Sequence, residues 1–456
     1  MDSLTETEFP IARFFPQMIE HEGVLAPKAP ADVDATGVDE DLLCDLALKT
    51  AHIVRECSTE WVAKQMHLPI ALVEDLMQTL ESNRLLEVHG FEGPFNHRYA
   101  LTGRGHDRVS RLLDVSGYIG PAPVALETYT TMIDLHQSQY PSVTWEDVKA
   151  ALGPLVLHPQ DVLTAALAVM SQRSLFLFGP PGNGKTSVAR LLHDVIEGEL
   201  WIPHCMVVGT TIIQIFDPHF HPQSNFTTAQ PWKIDQRWVR IRRPLIIAGG
   251  EMTIDSLELA PSSLPGYFEA PLHMKSNGGT FVIDDFGRQR VDPTALLNRW
   301  IVPMEHGYDY LALPTGGKFR VPFQQMLIVA TNLDPDKVVD PAFLRRMGYR
   351  VHVASPTPKQ YYDIFLGFAE RCEIEVPDGF IERLLARYQR EGRELRGSEP
   401  RDLVARIRDI CQLRRQPLIL TEEVMDQAWG SYFGLRKTDE TWDTAATAAP
   451  ALAPAH

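Results

Sequence analysis

Apolar positions change spacing several times along this chain, and each change marks a different kind of element. Up to Val38 the sequence is rich in Pro, Ala and acidic residues without periodicity, which predicts a flexible lead over residues 1–38. Beyond it, Leu42, Leu43, Leu46, Ala47, Ile53 and Val54 recur at helical spacing. Thr59–Met66 and Ala71–Ser82 predict two further helices, and Asn83–Val88 a strand. A turn at Gly93-Pro94-Phe95-Asn96 and a returning strand over His97–Thr102 follow, with Gly103-Arg104-Gly105-His106 closing the unit. Three helices and a two-stranded wing predict a winged-helix-like domain over residues 39–115. The Pro-containing segment Tyr118–Pro123 opens a linker expected over 116–158.

From residue 159 to 355 short apolar runs alternate with helical stretches, the signature of a parallel sheet covered by helices, so the fold class is α/β. Leu175-Phe176-Leu177-Phe178, Thr280–Ile283 and Met326–Thr331 read as strands buried on both faces. Residues 356–436 are rich in helical patterning, and 437–456 form a low-complexity tail predicted to be disordered.

Directly after the first of those strands stands Gly179-Pro180-Pro181-Gly182-Asn183-Gly184-Lys185-Thr186, followed by the helical opening Ser187–Leu192. Strand, glycine-rich loop and helix in this order make a phosphate-binding loop. The glycines let successive N–H groups turn toward phosphate oxygens, and the helix N-terminus adds positive dipole there. Lys185 brings a point charge to the outer phosphates, and the Thr186 hydroxyl is placed to ligate Mg2+. The ligand class is therefore a nucleoside triphosphate, with Gly179 to Ser187 in contact with it.

Composition narrows the setting. Of 456 residues, 44% are apolar and 22% charged, as in globular proteins that bury a sizeable core. A formal charge of −16 disfavours generic binding to nucleic acid or an anionic membrane. No apolar run of about 18 residues exists and the first residues are acidic, so neither a membrane span nor a signal peptide is expected, and a cytoplasmic location is. Five scattered cysteines without a C-x-x-C pair fit reduced thiols.

The strand Thr280–Ile283 ends in Asp284 and Asp285. Asp284 is the expected Mg2+ ligand with Thr186, and Asp285 the residue beside the attacking water. Met326–Thr331 ends in Asn332, whose amide is suited to orient that water. Asp340–Met347 places Arg345 and Arg346 at the end of a short helix, and Gly397–Leu403 opens another with Arg401 in its first turn. In this order the elements resemble an AAA+ ATPase over roughly residues 150–435. The resemblance implies a nucleotide-binding core at 159–355 and a helical lid at 356–436. It implies that Asn332 is sensor 1, that Arg346, or Arg345 in its place, is an arginine finger reaching a neighbouring subunit, and that Arg401 is sensor 2. It also implies ATP and Mg2+ as cofactors and a ring, expected as a hexamer. Such a finger is worth about 10^3 to 10^5 in rate, so an isolated subunit should be nearly inactive.

A hairpin-like segment before Asn332, Tyr308–Leu313 and Lys318–Val321 joined through Pro314-Thr315-Gly316-Gly317, is similar to the MoxR branch of that superfamily. The branch implies a chaperone or remodeller acting on a client protein. Asp285 stands where the family usually carries Glu, and Phe286–Arg290 departs from its usual wording. The 99 positions from Lys185 to Asp284 leave room for an insertion over 201–270, which the resemblance sets facing pore or substrate; Trp238–Ile247 reads as added strands within it.

Three features are set lower. Asp217, His219 and His221, with His204 and Cys205 upstream, match no zinc spacing. Arg240, Arg242 and Arg243 make the densest positive cluster of the core. The third helix of the N-terminal domain carries Glu74, Asp75 and Glu81 and no Lys or Arg, a poor surface for DNA phosphates, although Arg98, Arg104, Arg108 and Arg111 lie near the wing. A nucleotide-switched DNA-binding regulator is the competing expectation to a protein remodeller.

Overall fold

The computed structural model describes residues 16–93, 95–155, 157–314, 316–335 and 341–434. They divide into two compact units. One takes in the residues up to 151, 160–178 and 189–351; the other takes in 152–159, 179–188 and the chain from 352.

In the first unit the lead is ordered where it is described, which corrects the expectation of flexibility over 16–38. Strands β1 (Met18–His21) and β2 (Val24–Pro27) pair antiparallel, Met18 opposite Pro27. The hairpin is held from outside: Trp201 Nε1 donates to the Leu25 carbonyl at 3.0 Å, and Ala26 is fully buried. Pairing partners that far along the chain leave no local periodicity to read. The short helix α1 (Val33–Thr36) is capped by Asp32 and ended by Gly37 in the left-handed region. Residues 1–15 of the lead, and the tail over 437–456, lie outside the described residues.

Helices α2 (Glu40–Ala51), α3 (Thr59–Met66) and α4 (Ile70–Ser82) follow, with strands β3 (Cys57–Ser58), β4 (Leu86–Gly93) and β5 (Asn96–Leu101) in the order β3-β5-β4. Leu43, Leu46 and Ala47 of α2 meet Leu72, Val73, Leu76 and Leu80 of α4 in one apolar cluster. Gly103 and Gly105 do not close the unit. They open α5 (Gly103–Val115), capped by Thr102, whose hydroxyl accepts from Gly105 N at 3.1 Å. A Cβ on Gly105 would lie 2.2 Å from the Leu85 carbonyl oxygen, so the glycine serves a close approach. Of the three acids on α4, Glu74 points inward: it accepts from Thr59 Oγ1 at 2.6 Å, Tyr99 OH at 2.9 Å and Gln78 Nε2 at 3.0 Å, and pairs with His97. Burial pushes its carboxyl pKa up, but those hydrogen bonds outweigh burial and hold it below the usual range.

The segment expected as a linker is largely structured. It contains β6 (Val124–Ala125), α6 (Leu126–Ser138) and α7 (Trp145–Leu152). Tyr129, Met132, Ile133 and His136 of α6 are buried. The repeat of apolar residues was masked by the polar residues between them. Beyond α8 (Pro159–Met170) the chain runs through β7 (Leu175–Phe178), α9 (Lys185–Asp194), β8 (Glu199–Pro203), β9 (Cys205–Val208), β10 (Thr211–Gln214), β11 (Trp238–Arg242) and β12 (Leu245–Ala248). Next come β13 (Ala260–Pro261), β14 (Tyr267–Glu269), α10 (Leu272–Lys275), β15 (Thr280–Ile283), α11 (Pro293–His306), β16 (Tyr308–Ala312), β17 (Lys318–Pro322), β18 (Met326–Thr331), α12 (Pro341–Leu344) and β19 (Tyr349–His352).

The central sheet has the order β12-β15-β18-β7-β19, with β12, β15, β18 and β7 pairing in parallel. Every residue of β15 and β18 is buried, as helices on both faces require. Phe176, Phe281, Ile283, Trp300 and Val329 share the core of this layer. The expected hairpin forms as β16 and β17, with Tyr310 opposite Arg320. The α/β fold class read from the sequence, a parallel sheet core followed by a helical C-terminal region, is the fold the structure has.

Only the first part of Trp238–Ile247 is an added strand: β11 pairs with β8, whereas β12 belongs to the central sheet. Four short strands of the insertion join β6 in a second sheet, ordered β13-β14-β10-β9-β6. Cys205 and Ile212 of that sheet share one apolar cluster with α2, α3 and α4, so the insertion supports the N-terminal helices. Arg237 fastens the assembly. It is 3% exposed, donates to both carboxylate oxygens of Asp235 at 2.8–3.2 Å, and reaches the carbonyls of Thr36 at 3.0 Å and Pro123 at 3.1 Å. Removing one partner of a buried pair strands the other charge, at a cost of about 3–5 kcal/mol. Arg237→Ala is therefore expected to lower the denaturant midpoint and to expose the segment 28–38 to protease; an unchanged midpoint would count against the fastening role.

The second unit contains the loop 179–186 and four helices, α13 (Pro358–Arg371), α14 (Phe380–Arg390), α15 (Glu399–Leu413) and α16 (Glu422–Phe433). Tyr361, Phe365, Leu384, Tyr388, Ile407 and Trp429 form their shared core.

Candidate functional site

The loop that follows β7 has the backbone its sequence requires. Gly179, Gly182 and Gly184 take φ values of 139°, 80° and 87°, which residues with a Cβ rarely adopt. A Cβ on Gly179 would lie 2.3 Å from the Val353 carbonyl oxygen. Lys185 opens α9 and is only 6% exposed; its Nζ donates to the carbonyls of Gly179 at 2.9 Å and Pro180 at 2.8 Å. Gly184 O accepts from Val188 N at 2.8 Å, starting the helix whose N–H groups face the loop. Pro181 and Ser187 are exposed, and Thr186 is half-buried.

Within the same unit the segment before α15 fastens to the loop. Ser398 N donates to Gly182 O at 2.8 Å, Gly397 N to Asn183 Oδ1 at 3.0 Å, and Asn183 Nδ2 to Ser355 Oγ at 3.3 Å. A Cβ on Gly182 would lie 3.0 Å from Ser398 Oγ and 3.4 Å from Arg396 Cδ. Arg401 stands in the first turn of α15, two-thirds exposed, paired with Asp402 at 3.0 Å. Sequence reasoning chose Arg401 and passed over Arg396, Gly397 and Ser398. Their signal was the N-terminal position in a helix-opening motif, which gave no hint that backbone groups would do the work.

The acids and the amide lie in the first unit, at the carboxyl edge of the central sheet. The register sets Ile283 beside Val329 and Thr331 beside Phe178, so Asp284 and Asn332 leave the edge at which β7 ends. Asp284 N donates to Ala248 O at 2.8 Å and Phe286 N to Ala330 O at 2.8 Å, extending the sheet around the acids. Asp285 takes φ 50°, in the left-handed region that Asp tolerates better than most residues. Asn332 Nδ2 donates to Asp285 Oδ1 at 2.6 Å, and Asp285 N to Asp284 Oδ1 at 3.0 Å. Asn332 and Asp285, chosen separately from the sequence, are thus direct partners. Two supporting residues were missed: Gln289, whose Nε2 holds the Asp284 carbonyl at 3.0 Å, and Thr331, whose hydroxyl holds the Phe286 carbonyl at 2.7 Å.

Arg345 and Arg346 are not brought to those acids. They line a cavity of about 440 Å3 with Ser174, Gly279, Met326 and Gly348, residues at the amino edge of the same sheet. Arg345 is exposed, and Arg346 pairs with Glu305. Asp340 lies outside the described residues.

The features set lower are engaged elsewhere. Asp217 pairs with Lys275 at 2.8 Å, His221 Nε2 meets the Lys275 carbonyl at 2.7 Å, and burial beside His67 pushes His204 down to about 4. Arg240 pairs with Glu199 at 2.8 Å, while Arg243 is buried and donates to Gly278 O at 2.6 Å, so the arginine cluster is not one surface patch.

The fold and loop define a P-loop α/β architecture. Residues 357–431 match a family model described as a domain of unknown function, DUF8689. No curated protein matches the chain. Matching solved structures include the Holliday junction branch migration motor RuvB of Thermotoga maritima, at 16% identity over 65% of this chain and 76% of that one, with a TM-score of 0.34. NtrX from Brucella abortus in complex with ATP matches at 13% identity over 70% and 63%, with a TM-score of 0.36. The complex of magnesium chelatase subunits BchI and BchD matches at 18% identity over 63% and 93%, with a TM-score of 0.32. Likenesses of this size speak to neither activity nor partners.

The close approach at Gly179 makes a test of the loop geometry. Gly179→Ala meets both backbone strain and the Val353 carbonyl, for a cost on the order of 1–3 kcal/mol or more. Gly392→Ala, also at positive φ but with nothing within 4 Å, meets strain alone. A larger loss of melting temperature for Gly179→Ala is expected, and equal losses would contradict the crowding.

Proposed function

We propose that this protein is an ATP-binding and ATP-hydrolysing member of the AAA+ class that forms a ring and remodels a partner protein in a MoxR-like, chaperone role. The observation that carries the reading is the loop Gly179–Thr186, with three glycines at positive φ between a fully paired central strand and the start of α9. Its amides and Lys185 bind the phosphates of ATP. The Thr186 hydroxyl and Asp284 carboxylate are hard oxygen donors of the kind Mg2+ takes, and they would hold it. Bound Mg2+ neutralises charge on the phosphates. Asp285, steadied by the Asn332 amide, accepts a hydrogen bond from the attacking water and keeps it oriented. The ties from Gly182 and Asn183 to Gly397 and Ser398 give the lid direct contact with the loop.

The finger assignment is read in trans. Arg346, with Arg345 as its substitute, lies at the amino edge of the sheet, whereas Asp284 and Asn332 stand at the carboxyl edge, so one copy does not supply both. Arg401, two-thirds exposed, is free to swing toward nucleotide as sensor 2. For the N-terminal winged-helix-like domain the reading is protein docking: the outward residues of α4 include Asp75 and Glu81 and no cation, a surface that repels DNA phosphate. Among the described residues no helix is long and apolar enough to cross a membrane. A cytoplasmic setting goes with the reading.

Lys185→Ala is expected to abolish binding of a fluorescent ATP analogue, and undiminished affinity would overturn the loop assignment. In mixed assemblies, Arg346→Ala and Lys185→Ala subunits should recover part of the turnover that each lacks alone; co-assembly without recovery would sink the trans finger.

A further inference from the structure

A second built site lies in the helical region, on the segment that matches the family of unknown function. α14 and α16 border a groove of about 520 Å3 whose lining includes Arg383, Arg387, Arg390 and Arg393. The first three fall at positions i, i+4 and i+7, one face of α14. At its floor lies Trp429, 3% exposed. Arg387 stacks over the Trp429 ring at 4.6 Å, and Arg393 over Phe433 at 4.1 Å and Trp429 at 5.8 Å. Glu391 braces both guanidinium groups, at 3.2 Å from Arg387 Nε and 2.6 Å from Arg393 Nε. Burial pushes the Glu391 carboxyl pKa up, but Arg393 and Arg387 together outweigh it and hold the group ionised below its ordinary range. Stacking and bracing fix the two forks before any ligand arrives, which lowers the ordering cost of binding.

Part of this cation set has nothing to satisfy. The terminal nitrogens of Arg393 make no hydrogen bond among the described residues, and Arg390 is exposed without a partner there. Glu422 and Asp426, both more than two-thirds exposed or close to it, pair with Arg383 and Arg387 at the rim. The groove is thus a mosaic: fixed cations inside, movable carboxylates at the edge.

We propose that this groove docks an acidic segment of a partner protein, whose carboxylates take the forks of Arg390 and Arg393 and exchange with Glu422 and Asp426 at the rim. A nucleic-acid strand fits less well, because its closely spaced phosphates would meet the rim acids as well as the arginines. Separate acidic side chains can match the cations one by one and leave the acids to solvent.

The test uses the full-length protein without nucleotide, so its outcome is independent of the ATPase reading. A fluorescein-labelled oligo-glutamate peptide is titrated by anisotropy at low salt, beside a labelled oligo-dT strand. Binding of the peptide, weakened by added salt and reduced about ten-fold or more in Arg390→Ala/Arg393→Ala, is expected. Arg408→Ala, an exposed arginine outside the groove, should leave affinity unchanged. Arg390→Glu, at a position with no partner to lose, gives the same reading if the double variant fails to fold. No peptide binding, equal affinity in the groove variants, or tighter binding of oligo-dT would each overturn the proposal.

Discussion

The parallel register of β15, β18 and β7 is the constraint on which the rest of this molecule depends. These strands are buried on both faces, so their order and alignment are set by packing that tolerates no slip. Once Ile283 lies beside Val329 and Thr331 beside Phe178, the residues that follow each strand must emerge along one edge. Two chemistries that are far apart in sequence, a pair of acids and an amide, are collected by one backbone alignment. The same alignment sends Arg345 and Arg346 to the other edge.

Around that sheet the chain is stabilised by elements whose sequences advertise little. The insertion between α9 and β15 contributes β12 to the central sheet and four short strands to a second sheet that packs with the N-terminal helices. Arg237 has four hydrogen-bonding targets in three segments, so the lead, the segment before β6 and the insertion hold their places together.

What was legible in the sequence follows from what is local. Leu175–Phe178, Thr280–Ile283 and Met326–Thr331 are unbroken apolar runs, and double burial is the only ready explanation for them; the glycine spacing after the first likewise admits few geometries. The β1–β2 hairpin and α6 were hidden because each is made stable by residues far along the chain, such as Trp201 against Leu25, 176 positions apart, and against His136, 65 positions apart. α5 was obscured by two glycines, of which Gly105 owes its place to close contact with the Leu85 carbonyl. Glu74 read as surface charge because nothing in its own helix reveals that Thr59 and Tyr99 come to meet it. In the site, side chains were found and backbone partners were not: the N–H groups of Gly397 and Ser398 carry no residue-specific mark.

Asp285 stands where the sequence resemblance implies Glu, and its backbone gives the shorter acid a meaning of its own. At φ 50° the short Asp285 carboxylate accepts from the Asn332 amide, in a left-handed conformation that Asp adopts more readily than a longer acid. The missing methylene is therefore matched by a turn of the main chain. Reach toward the sheet edge is set by the backbone at this position, and a change of side-chain length alone would not convert one design into the other.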